Sequence, residues 1–504
     1  MRAIISVYYK EGVEKLALSL ERAGYEIISS GGTAKYLKSK GIETKEVNEI
    51  TNFPEILGGR VKTLHPIIHG GILARDREED INEIDKLNIR PIDVVVVNLY
   101  PFEEKMKEDI EEEELIEFID IGGPTLIRAG AKNFKRVAVI TDPSDYEWTA
   151  EKIEKGSLSL EDRIYLAYKA YALTSYYDSL ISETFRSMFA IEKEAELKTI
   201  PMRKVRNLRY GENPHQQAVL YNNPFEDVGI SRADILQGKE MSFNNYLDAD
   251  SAVKLVSEMD SIACAIIKHN NPCGVALGSK VKEAFVKARD ADPESAFGGI
   301  VAFNNRVDAD TAKELTSMFL EVIVAPDYEK GALDILSRKK NLRVLRINGI
   351  QRNFDIKKIS GGFLLQEEDV DTLKDWKVVT RREPTENEKK DLLFAWKVCK
   401  YVKSNAVVIA KDGQTLGVGS GNVSRVASLR CAIEKALQFG HDLKDAVVAS
   451  DGFFPFRDSI DLASKYGIRA IIQPGGSIRD EEVISACNEH YISMIFTGIR
   501  HFRH

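Results

Sequence analysis

A run of four consecutive valines places the strongest constraint on the fold of this chain. The segment "PIDVVVVNLYPF" flanks Val94–Val97 with turn-forming residues. A β-branched run without polar alternation is typical of a strand that is buried on both faces of a parallel sheet. Strand-like and helix-like segments alternate before it, as in "RAIISVY" at 2–8 and "VEKLALSLERAG" at 13–24. This pattern predicts an α/β domain in which helices cover both sides of a parallel sheet.

A loop-like segment near residue 200 marks the boundary between two regions. The 504 residues of the chain exceed the length of one ordinary hydrophobic core. Residues 198–217 combine Pro, Gly and Asn with little hydrophobic periodicity. We therefore predict domains at 1–199 and 200–504. In the second domain, residues 262–278 and 404–421 share a layout of apolar strand, polar turn and second apolar stretch, which indicates a duplicated α/β unit.

The composition excludes several classes of function. The chain has 70 Lys and Arg against 78 Asp and Glu, a net charge of −8, and no basic block of the kind that binds nucleic acid. Apolar residues interrupt the acidic stretch at 107–118, which favours a solvated helix face over an interaction tail. Five cysteines without a C-x-x-C spacing fit a reducing compartment. We expect a cytoplasmic protein, because neither a signal-peptide core nor an apolar run of roughly 18 residues is present.

The segment "IKHNNPCG", which follows a predicted buried strand, allows three chemical interpretations. A zinc site of the deaminase kind needs a glutamate after His269 and a second cysteine after Cys273, and both are missing. Cys273 could be a nucleophile, although free cysteine is more often a small buried hydrophobe. Lys268 and His269 could form an acid–base pair, because histidine titrates near neutrality and an adjacent cation keeps it neutral. The same two residues could also be ordinary solvated loop residues.

Two glycine-flanked segments in the first domain could hold an anionic ligand. "SSGGTAKYL" presents Ser30–Thr33 at a predicted helix start, which suits a phosphate group, although a plain strand–helix turn would look the same. "GGRVKTLHPIIHGG" carries Arg60 and Lys62, cations that suit an anionic substrate. Metal binding by His65 and His69 is the alternative for that segment, without a carboxylate partner nearby in the sequence.

Two further glycine turns precede predicted helices. "DIGGPTLIRAGAKN" places Asp120 before the turn, and Arg128 and Lys132 four residues apart on one helix face. "QPGGSIRDEE" places Ser477 three residues before Asp480, a spacing that predicts a helix capping box.

The order of these motifs along the chain resembles that of one family. The chain also carries "RVKTLHP", "LRYGENPHQ", "SAFGG", "VIVAP", "SNAVVIAKDG", "GSGNVSR", "SDGFFPFRDS" and "FTGIRHFRH". Together the motifs closely resemble the bifunctional purine biosynthesis proteins, which combine AICAR transformylase with IMP cyclohydrolase, and the resemblance covers essentially the whole chain. It implies an α/β fold with an N-terminal methylglyoxal-synthase-like domain. It also implies a C-terminal region of two cytidine-deaminase-like subdomains that have lost their zinc.

For the C-terminal region, the resemblance implies formyl transfer from 10-formyltetrahydrofolate to the 5-amino group of AICAR. His269 would take the proton of the attacking amine, and Lys268 would stabilise the oxyanion or help protonate the departing nitrogen. Glu321 stands where some members have Asp. The other matching positions are Arg209, Tyr210, Gly298, Asn405, Arg425 and Arg500 on the AICAR side, with Asn405 in the catalytic group, and Glu321, Phe453, Asp458, Ser477 and Ile478 on the folate side.

For the N-terminal domain, the resemblance implies closure of formyl-AICAR to IMP with loss of water. The matching catalytic cluster is Lys62, Tyr100, Asp120 and Lys132. The matching nucleotide-binding positions are Lys10, Ser30, Gly31, Gly32, Thr33, Arg60 and Thr63. The family's usual "SVSDK" reads "SVYYK" at 6–10, which leaves the contacts of Tyr9 in doubt but not the role of Lys10.

The resemblance also implies the ligands and partners of the protein. AICAR, formyl-AICAR and 10-formyltetrahydrofolate would be its small-molecule ligands, with no tightly bound cofactor and no transition metal. Some members hold structural potassium, and the residues of this chain do not decide that point. Family members form homodimers with transformylase sites at the subunit interface. The alternative function is a C-terminal nucleotide deaminase with an N-terminal nucleotide-sensing domain, against which the cluster of Lys62, Tyr100 and Lys132 argues.

Overall fold

The computed structural model describes residues 1–191 and 195–504 and divides into two compact units, Met1–Met202 and Arg203–His504. The division lies within residues 198–217, the segment that predicts the domain boundary, although Arg203–Leu208 of this segment form a strand. Among the described residues, no helix is both long enough and apolar enough to cross a lipid bilayer.

The N-terminal unit is built on a five-stranded sheet. Its strands are β1 (Arg2–Ser6), β2 (Glu26–Ser29), β3 (Lys45–Glu46), β4 (Val94–Val97) and β5 (Ala138–Ile140). Its helices are α1 (Val13–Arg22), α2 (Gly31–Ser39), α3 (Val47–Thr51), α4 (Pro66–Leu73), α5 (Glu78–Lys86), α6 (Phe102–Lys105), α7 (Glu112–Glu117), α8 (Gly122–Lys132), α9 (Tyr146–Glu154) and α10 (Leu160–Met188). The strands are parallel and lie in the order β3-β2-β1-β4-β5.

The valine run forms the centre of this sheet, as predicted. β4 lies between β1 and β5, and each of its four valines is at most 2% exposed. Val94 and Val96 pack in one cluster with residues of α1 and α9. On the opposite face, α8 approaches so closely that a Cβ on Gly130 would lie 3.3 Å from Val95 Cγ2. Helices therefore cover both faces of a parallel sheet, and this part of the predicted fold is confirmed.

The acidic stretch forms the short helix α7, whose first turn carries three glutamates. Leu115 is the buried residue of this helix, at 6% exposure. The stretch is therefore a solvated helix face with an apolar anchor, as its interrupted charge pattern predicts.

The C-terminal unit is built on a twelve-stranded sheet and two separate hairpins. Its strands are β6 (Arg203–Leu208), β7 (Ala218–Asn222), β8 (Asp234–Gln237), β9 (Ala263–Lys268), β10 (Asn271–Leu277), β11 (Ile300–Phe303), β12 (Val322–Ala325), β13 (Arg343–Arg346), β14 (Phe354–Ile359), β15 (Gly362–Glu367), β16 (Lys377–Val378), β17 (Val407–Lys411), β18 (Gln414–Gly419), β19 (Val447–Ser450), β20 (Ala470–Gln473) and β21 (Ser493–Phe496). Its helices are α11 (Phe243–Ser257), α12 (Val281–Ala291), α13 (Pro293–Ala296), α14 (Ala309–Thr316), α15 (Lys330–Leu336), α16 (Glu386–Cys399), α17 (Arg425–Gln438), α18 (Asp458–Lys465) and α19 (Asp480–Glu489). The β6–β7 and β14–β15 pairs form the separate hairpins.

The large sheet consists of two copies of one unit, which confirms the predicted duplication. In the sheet, the first copy has the order β10-β9-β11-β12-β13 and the second has the matching order β18-β17-β19-β20-β21. The two copies join where β10 pairs antiparallel with β18, with Ala276 opposite Gln414. We call the copies the first and second repeat.

The duplication extends to individual residues. A constant spacing of 143 residues separates Ser242 from Thr385, and each of these residues closes a capping box at the start of its helix, α11 or α16. The same spacing separates Lys268 from Lys411, each the last residue of the first hairpin strand of its repeat.

The two faces of the twelve-stranded sheet are packed differently. On one face, α11 and α16 contribute to a single apolar cluster that includes Leu255 and Trp396 and draws on both repeats. On the other face, the first repeat has a cluster around Phe285 and the second has a separate cluster around Phe454. The repeats therefore share a core on one side of the sheet only.

Candidate functional site

A cavity of about 530 Å³ lies in the N-terminal unit, at the carboxyl ends of its parallel strands. Its walls come from the segments that follow β1, β2 and β4, and from the start of α8, where open α/β sheets bind ligands. Nearly all predicted cyclase residues line it. They are Lys10, Ser30, Gly31, Gly32, Thr33, Arg60, Lys62, Thr63, Tyr100 and Asp120.

The predicted phosphate cradle is the N-terminus of α2. Ser30 is its N-cap residue, and Gly31 has φ +50°, a left-handed conformation that favours glycine. The Thr33 hydroxyl is hydrogen-bonded to the backbone of Val7: it donates to the Val7 carbonyl (2.9 Å) and accepts from the Val7 N–H (3.2 Å). Lys10 lies beside the turn, with its Nζ 3.9 Å from where a Cβ on Gly32 would be. The cradle therefore offers backbone N–H groups, the helix dipole and one ammonium group.

A lysine, a carboxyl and a phenol form the reactive side of this cavity. Burial raises the pKa of the Asp120 carboxyl, although the Gly123 N–H (2.8 Å) and the charge of Lys62 lower it. Burial and the nearby Asp120 raise the pKa of Tyr100. Lys62 Nζ lies 3.8 Å from Glu55 Oε2. The group can therefore exchange protons through Asp120 and present positive charge through Lys62.

Lys132 is the exception among the predicted cyclase residues. It is the last residue of α8, whose first residues line the cavity, so it lies roughly 15 Å further along the helix axis. It lines a separate cavity of about 300 Å³ with aromatic residues that include Tyr168 and Tyr171. The structure does not bring Lys132 together with the other predicted catalytic residues of the same chain.

The two histidines of the glycine-flanked loop belong to α4 and its N-cap. His65 is the N-cap of α4, and its Nδ1 accepts a hydrogen bond from the Ile67 N–H (3.2 Å). Burial lowers the pKa of His69, which lies one turn further along that helix. Across residues 1–191 and 195–504, no group of three or more His, Cys, Asp or Glu residues is arranged to hold a metal ion.

Tyr8 and Asn98 are among the residues of this cavity that sequence reasoning missed. The Tyr8 ring meets the Tyr100 ring edge-on at 5.7 Å, and Asn98 Oδ1 accepts from the backbone N–H of Tyr8 (2.6 Å) and Tyr9 (3.1 Å). The Tyr9 hydroxyl donates to Glu104 Oε1 (2.5 Å). The substituted "SVYYK" loop thus keeps Lys10 in the cavity. Its position directly after a buried strand is a signal that could have pointed to Tyr8.

In the C-terminal unit, Lys268 and His269 lie at the tight turn between β9 and β10. His269 (φ +54°) and Asn270 (φ +59°) are the two central residues, and Lys268 pairs with Asn271 across them. Two left-handed central residues are the mark of a type I′ hairpin turn. The Lys268 Nζ donates to the Phe297 carbonyl (2.9 Å), and His269 is exposed. The turn therefore presents the imidazole to solvent beside a fixed ammonium group.

A second group of predicted residues surrounds the start of β17. Asn405 Oδ1 accepts from Arg425 Nη2 (3.0 Å). The Arg425 guanidinium is 7% exposed, pairs with the buried Asp451 and donates to Ser450 Oγ (2.8 Å). Arg425 therefore holds Asn405 in place with a charge that an internal carboxylate already balances, and its predicted contact with substrate stays a prediction.

The remaining predicted transformylase residues lie around the same edge of the sheet or in the segment before β7. Glu321, just before β12, accepts from Arg343 Nη1 (2.6 Å), and Gly298 has φ +73°. The exposed residues of this set are Arg209, Phe453, Asp458 at the start of α18, Ile478 and Arg500. The others are Tyr210, which lies under the Arg209 guanidinium at 5.5 Å, and Ser477.

The predicted capping box at Ser477 and Asp480 is wrong. The N-cap of α19 is Arg479, and Asp480 is the first helical residue. Ser477 Oγ accepts from the Arg479 N–H (3.2 Å), while Asp480 Oδ2 accepts from the Gly476 N–H (2.7 Å). The glycine turn continues further than the spacing predicts, so the two side chains stabilise the turn and leave Ile478 exposed.

One chain does not bring the predicted folate positions together. Glu321 precedes β12 and Ile478 follows β20, and seven strand spacings separate these two strands in the sheet. At about 4.8 Å per spacing, the separation is about 34 Å, which is longer than one folate molecule.

Cys273 is a structural cysteine. Burial raises the pKa of its thiol to about 12. Its Sγ lies 3.3 Å from the Ile266 carbonyl. A thiol that stays protonated at neutral pH is neither an activated nucleophile nor a ready metal ligand.

The fold and the cavity define a two-part α/β protein whose N-terminal unit is suited to a small anionic ligand. A family model described as the AICARFT/IMPCHase bienzyme matches residues 130–435, and a model of the MGS-like domain matches residues 12–125. The bifunctional purine biosynthesis protein PurH of Aquifex aeolicus is 67% identical, with both chains covered fully. The PurH proteins of Persephonella marina (55%) and Caldicellulosiruptor saccharolyticus (53%) cover all of this chain and 99% of their own length.

This chain belongs to the AICARFT/IMPCHase bienzyme family. The resemblance drawn from the sequence motifs and the predicted fold class are thereby confirmed. The comparisons do not support the alternative of a deaminase with a nucleotide-sensing domain.

Proposed function

We propose that the two units divide the last two steps of purine synthesis between them. The C-terminal unit transfers the formyl group of 10-formyltetrahydrofolate to AICAR, and the N-terminal unit closes formyl-AICAR to IMP. The observation that carries this proposal is the cavity of about 530 Å³ in the N-terminal unit, in which ten residues predicted from the family resemblance meet.

In the cyclase reaction, the carboxamide nitrogen attacks the formyl carbon of the same molecule and water is lost. Nucleophile and electrophile are already tethered, so orientation supplies much of the rate. The α2 N-terminus and Lys10 would hold the substrate phosphate. Asp120, whose pKa is raised by burial, would carry the proton, and Lys62 would stabilise the developing oxyanion.

In the transformylase reaction, the 5-amino nitrogen of AICAR forms a bond to the formyl carbon, and the bond from that carbon to N10 of the folate breaks. His269 takes the proton of the attacking amine. Lys268, held by the Phe297 carbonyl, stabilises the tetrahedral oxyanion or gives a proton to the departing nitrogen. Arg425 acts through Asn405, which it holds in place.

The C-terminal site would be completed by a second copy of the chain. The separation of about 34 Å between the strands next to Glu321 and Ile478 supports a homodimer in which each folate site draws on both subunits. A mixture of His269→Ala and Asp458→Ala chains tests this after subunit exchange. If the two residues come from different subunits, roughly a quarter of the activity should return, because half of the dimers are mixed and each has one intact site. Residues that act within one chain would give no recovery.

The primary test supplies AICAR and 10-formyltetrahydrofolate to the purified full-length protein and follows IMP. Supplying formyl-AICAR in a second reaction isolates ring closure. Formation of IMP in both reactions is expected. Failure of either one would refute the corresponding half of the proposal.

Small molecules are the only ligands that the proposal requires. It involves no tightly bound cofactor, and 10-formyltetrahydrofolate acts as a co-substrate. A structural potassium ion, as some members of the family hold, is compatible with the proposal and is not part of either step.

A further inference from the structure

We infer that Asp248 is a positioning residue for formyl transfer, because its carboxylate holds the turn that presents His269. Asp248 Oδ2 accepts from the His269 N–H (3.2 Å), and Oδ1 accepts from the Asn270 N–H (2.7 Å). The inference rests on the proposed role of His269 as the base and adds the group that fixes its direction.

The turn needs such a partner for two reasons. Both central residues have positive φ although neither is glycine, a conformation that costs free energy for residues with a side chain. In a type I′ turn, the ladder hydrogen bonds use the flanking residues, so the two central N–H groups need other acceptors. One carboxylate satisfies both of them with charge-assisted hydrogen bonds.

The carboxylate is itself fixed from two sides. Asp248 lies in α11, a helix that begins with a capping box formed by Ser242 and Asn245. The next residue, Ala249, is fully buried and anchors this part of the helix. Burial raises the pKa of Asp248, whereas the two turn N–H groups and the charges of His269 and Lys403 lower it. The turn is also held from its far side, where Asn270 Oδ1 accepts from Arg503 Nη2 (3.2 Å).

In the second repeat, a helix carboxylate likewise accepts hydrogen bonds from both central N–H groups of a hairpin turn, but that turn has no histidine. Asp391 lies 143 residues after Asp248 and is likewise the sixth residue of its helix, α16. Its carboxylate accepts from the N–H groups of Asp412 (2.9 Å) and Gly413 (2.8 Å), the central residues of the β17–β18 turn. Asp412 therefore occupies the place of His269.

The two turns lie at opposite edges of the sheet. The Gly413 carbonyl accepts from the Leu277 N–H (2.7 Å), at the end of β10 that is remote from His269. The same contact thus occurs once beside the proposed base and once away from it. The contact of Asp391 is therefore a control for what the contact of Asp248 contributes to stability alone.

The experiment compares Asp248→Ala, Asp248→Asn and Asp391→Ala in the full-length protein. Asp248→Ala should lower kcat of formyl transfer about 10²-fold, the scale of a base displaced by about 1 Å, with the KM for AICAR nearly unchanged. Asp248→Asn should restore part of that loss, because its amide oxygen still accepts one N–H. Asp391→Ala should lower the melting temperature about as much as Asp248→Ala and leave kcat within about twofold. Ring closure of supplied formyl-AICAR should stay normal in all three, and the melting transition of each variant reports whether its C-terminal unit is folded.

A double variant separates the positioning role from other roles. If Asp248 acts only through His269, adding Asp248→Ala to His269→Ala should cause no further loss of formyl transfer. Additive losses, unchanged kcat in Asp248→Ala, or an equal loss in Asp391→Ala would each overturn the inference. Normal formyl transfer by His269→Ala would instead refute the proposed base, and the positioning role would be refuted with it.

Discussion

The two candidate sites differ in how much of each one chain supplies. The N-terminal cavity is enclosed by segments that follow neighbouring parallel strands, so residues far apart in sequence meet within one unit. The C-terminal residues lie along an edge of a twelve-stranded sheet, and the strands next to Glu321 and Ile478 are about 34 Å apart. The loops that follow neighbouring strands of a small parallel sheet can form one site within a single chain. The loops along one edge of a twelve-stranded sheet are too far apart to do so.

The largest expected effect tests whether the two sites are chemically independent. His269→Ala should reduce formyl transfer about 10²- to 10⁴-fold, the usual scale for a positioned base, because no other group would take the amine proton. Cyclisation of supplied formyl-AICAR should be unaffected, and the same preparation should be assayed for both activities. Near-normal transfer by a folded variant would contradict the assignment of His269.

A substitution in the N-terminal cavity tests the independence of the two sites in the opposite direction. Asp120→Asn removes the group that would carry the proton in the cavity and should lower cyclisation about 10²-fold or more. Accumulation of formyl-AICAR from AICAR and 10-formyltetrahydrofolate would show that transfer continues. Parallel loss of both activities would mean that the sites are coupled.

Asp120→Asn should also change stability in a pH-dependent manner. The folded protein binds the Asp120 proton more tightly than the unfolded chain does, because burial raises the pKa of this carboxyl above its ordinary value of 3.8. The cost of burying the charge is therefore absent below that value, grows as the pH rises through the folded-state pKa, and is complete above it. At neutral pH the variant should gain about 1 kcal/mol in local unfolding free energy. Hydrogen exchange of the β1 and β4 amides, measured for the variant and the parent protein at each pH, gives the difference in unfolding free energy. A gain that persists in acid would contradict its attribution to the buried charge of Asp120.

The smallest expected effect concerns the thiol beside the transformylase turn. Cys273→Ser should change formyl transfer less than about twofold, since the half-buried thiol has a pKa raised to about 12 and faces the Ile266 carbonyl. Dialysis against a chelator should likewise leave both activities in place. Loss of activity that added zinc restores would revive a metal-based reading of this segment.

Patterns confined to one element were the most predictable from sequence. The valine run predicted a strand buried on both faces, because an uninterrupted β-branched run fixes burial directly. The shared layout of residues 262–278 and 404–421 only suggested a duplication, which the strand order of the sheet then showed. The glycine turn at Ser30–Thr33 predicted a helix start, and α2 begins there with Ser30 as its N-cap; its role in phosphate binding stays a prediction.

The partners of side chains could not be predicted in the same way. Arg425 is an arginine in a glycine-rich segment, and only the fold shows that its charge faces Asp451. Lys132 lies at the end of α8, the helix whose first residues line the cavity, and the length of the helix places Lys132 away from it. Asp248 had no local signal at all, because the N–H groups that it binds lie more than 20 positions away.

The core that the two repeats share has a consequence for the origin of this unit. Trp396 is fully buried in a cluster to which both repeats contribute, so a single repeat alone would expose that apolar face to water. Equivalent strands meet antiparallel at the seam between β10 and β18, as two identical subunits do across a two-fold axis. The C-terminal unit thus has the architecture of an isologous dimer fused into one polypeptide. Fusion freed each half to diverge, which is how an imidazole can stand at one turn and a carboxylate at its counterpart.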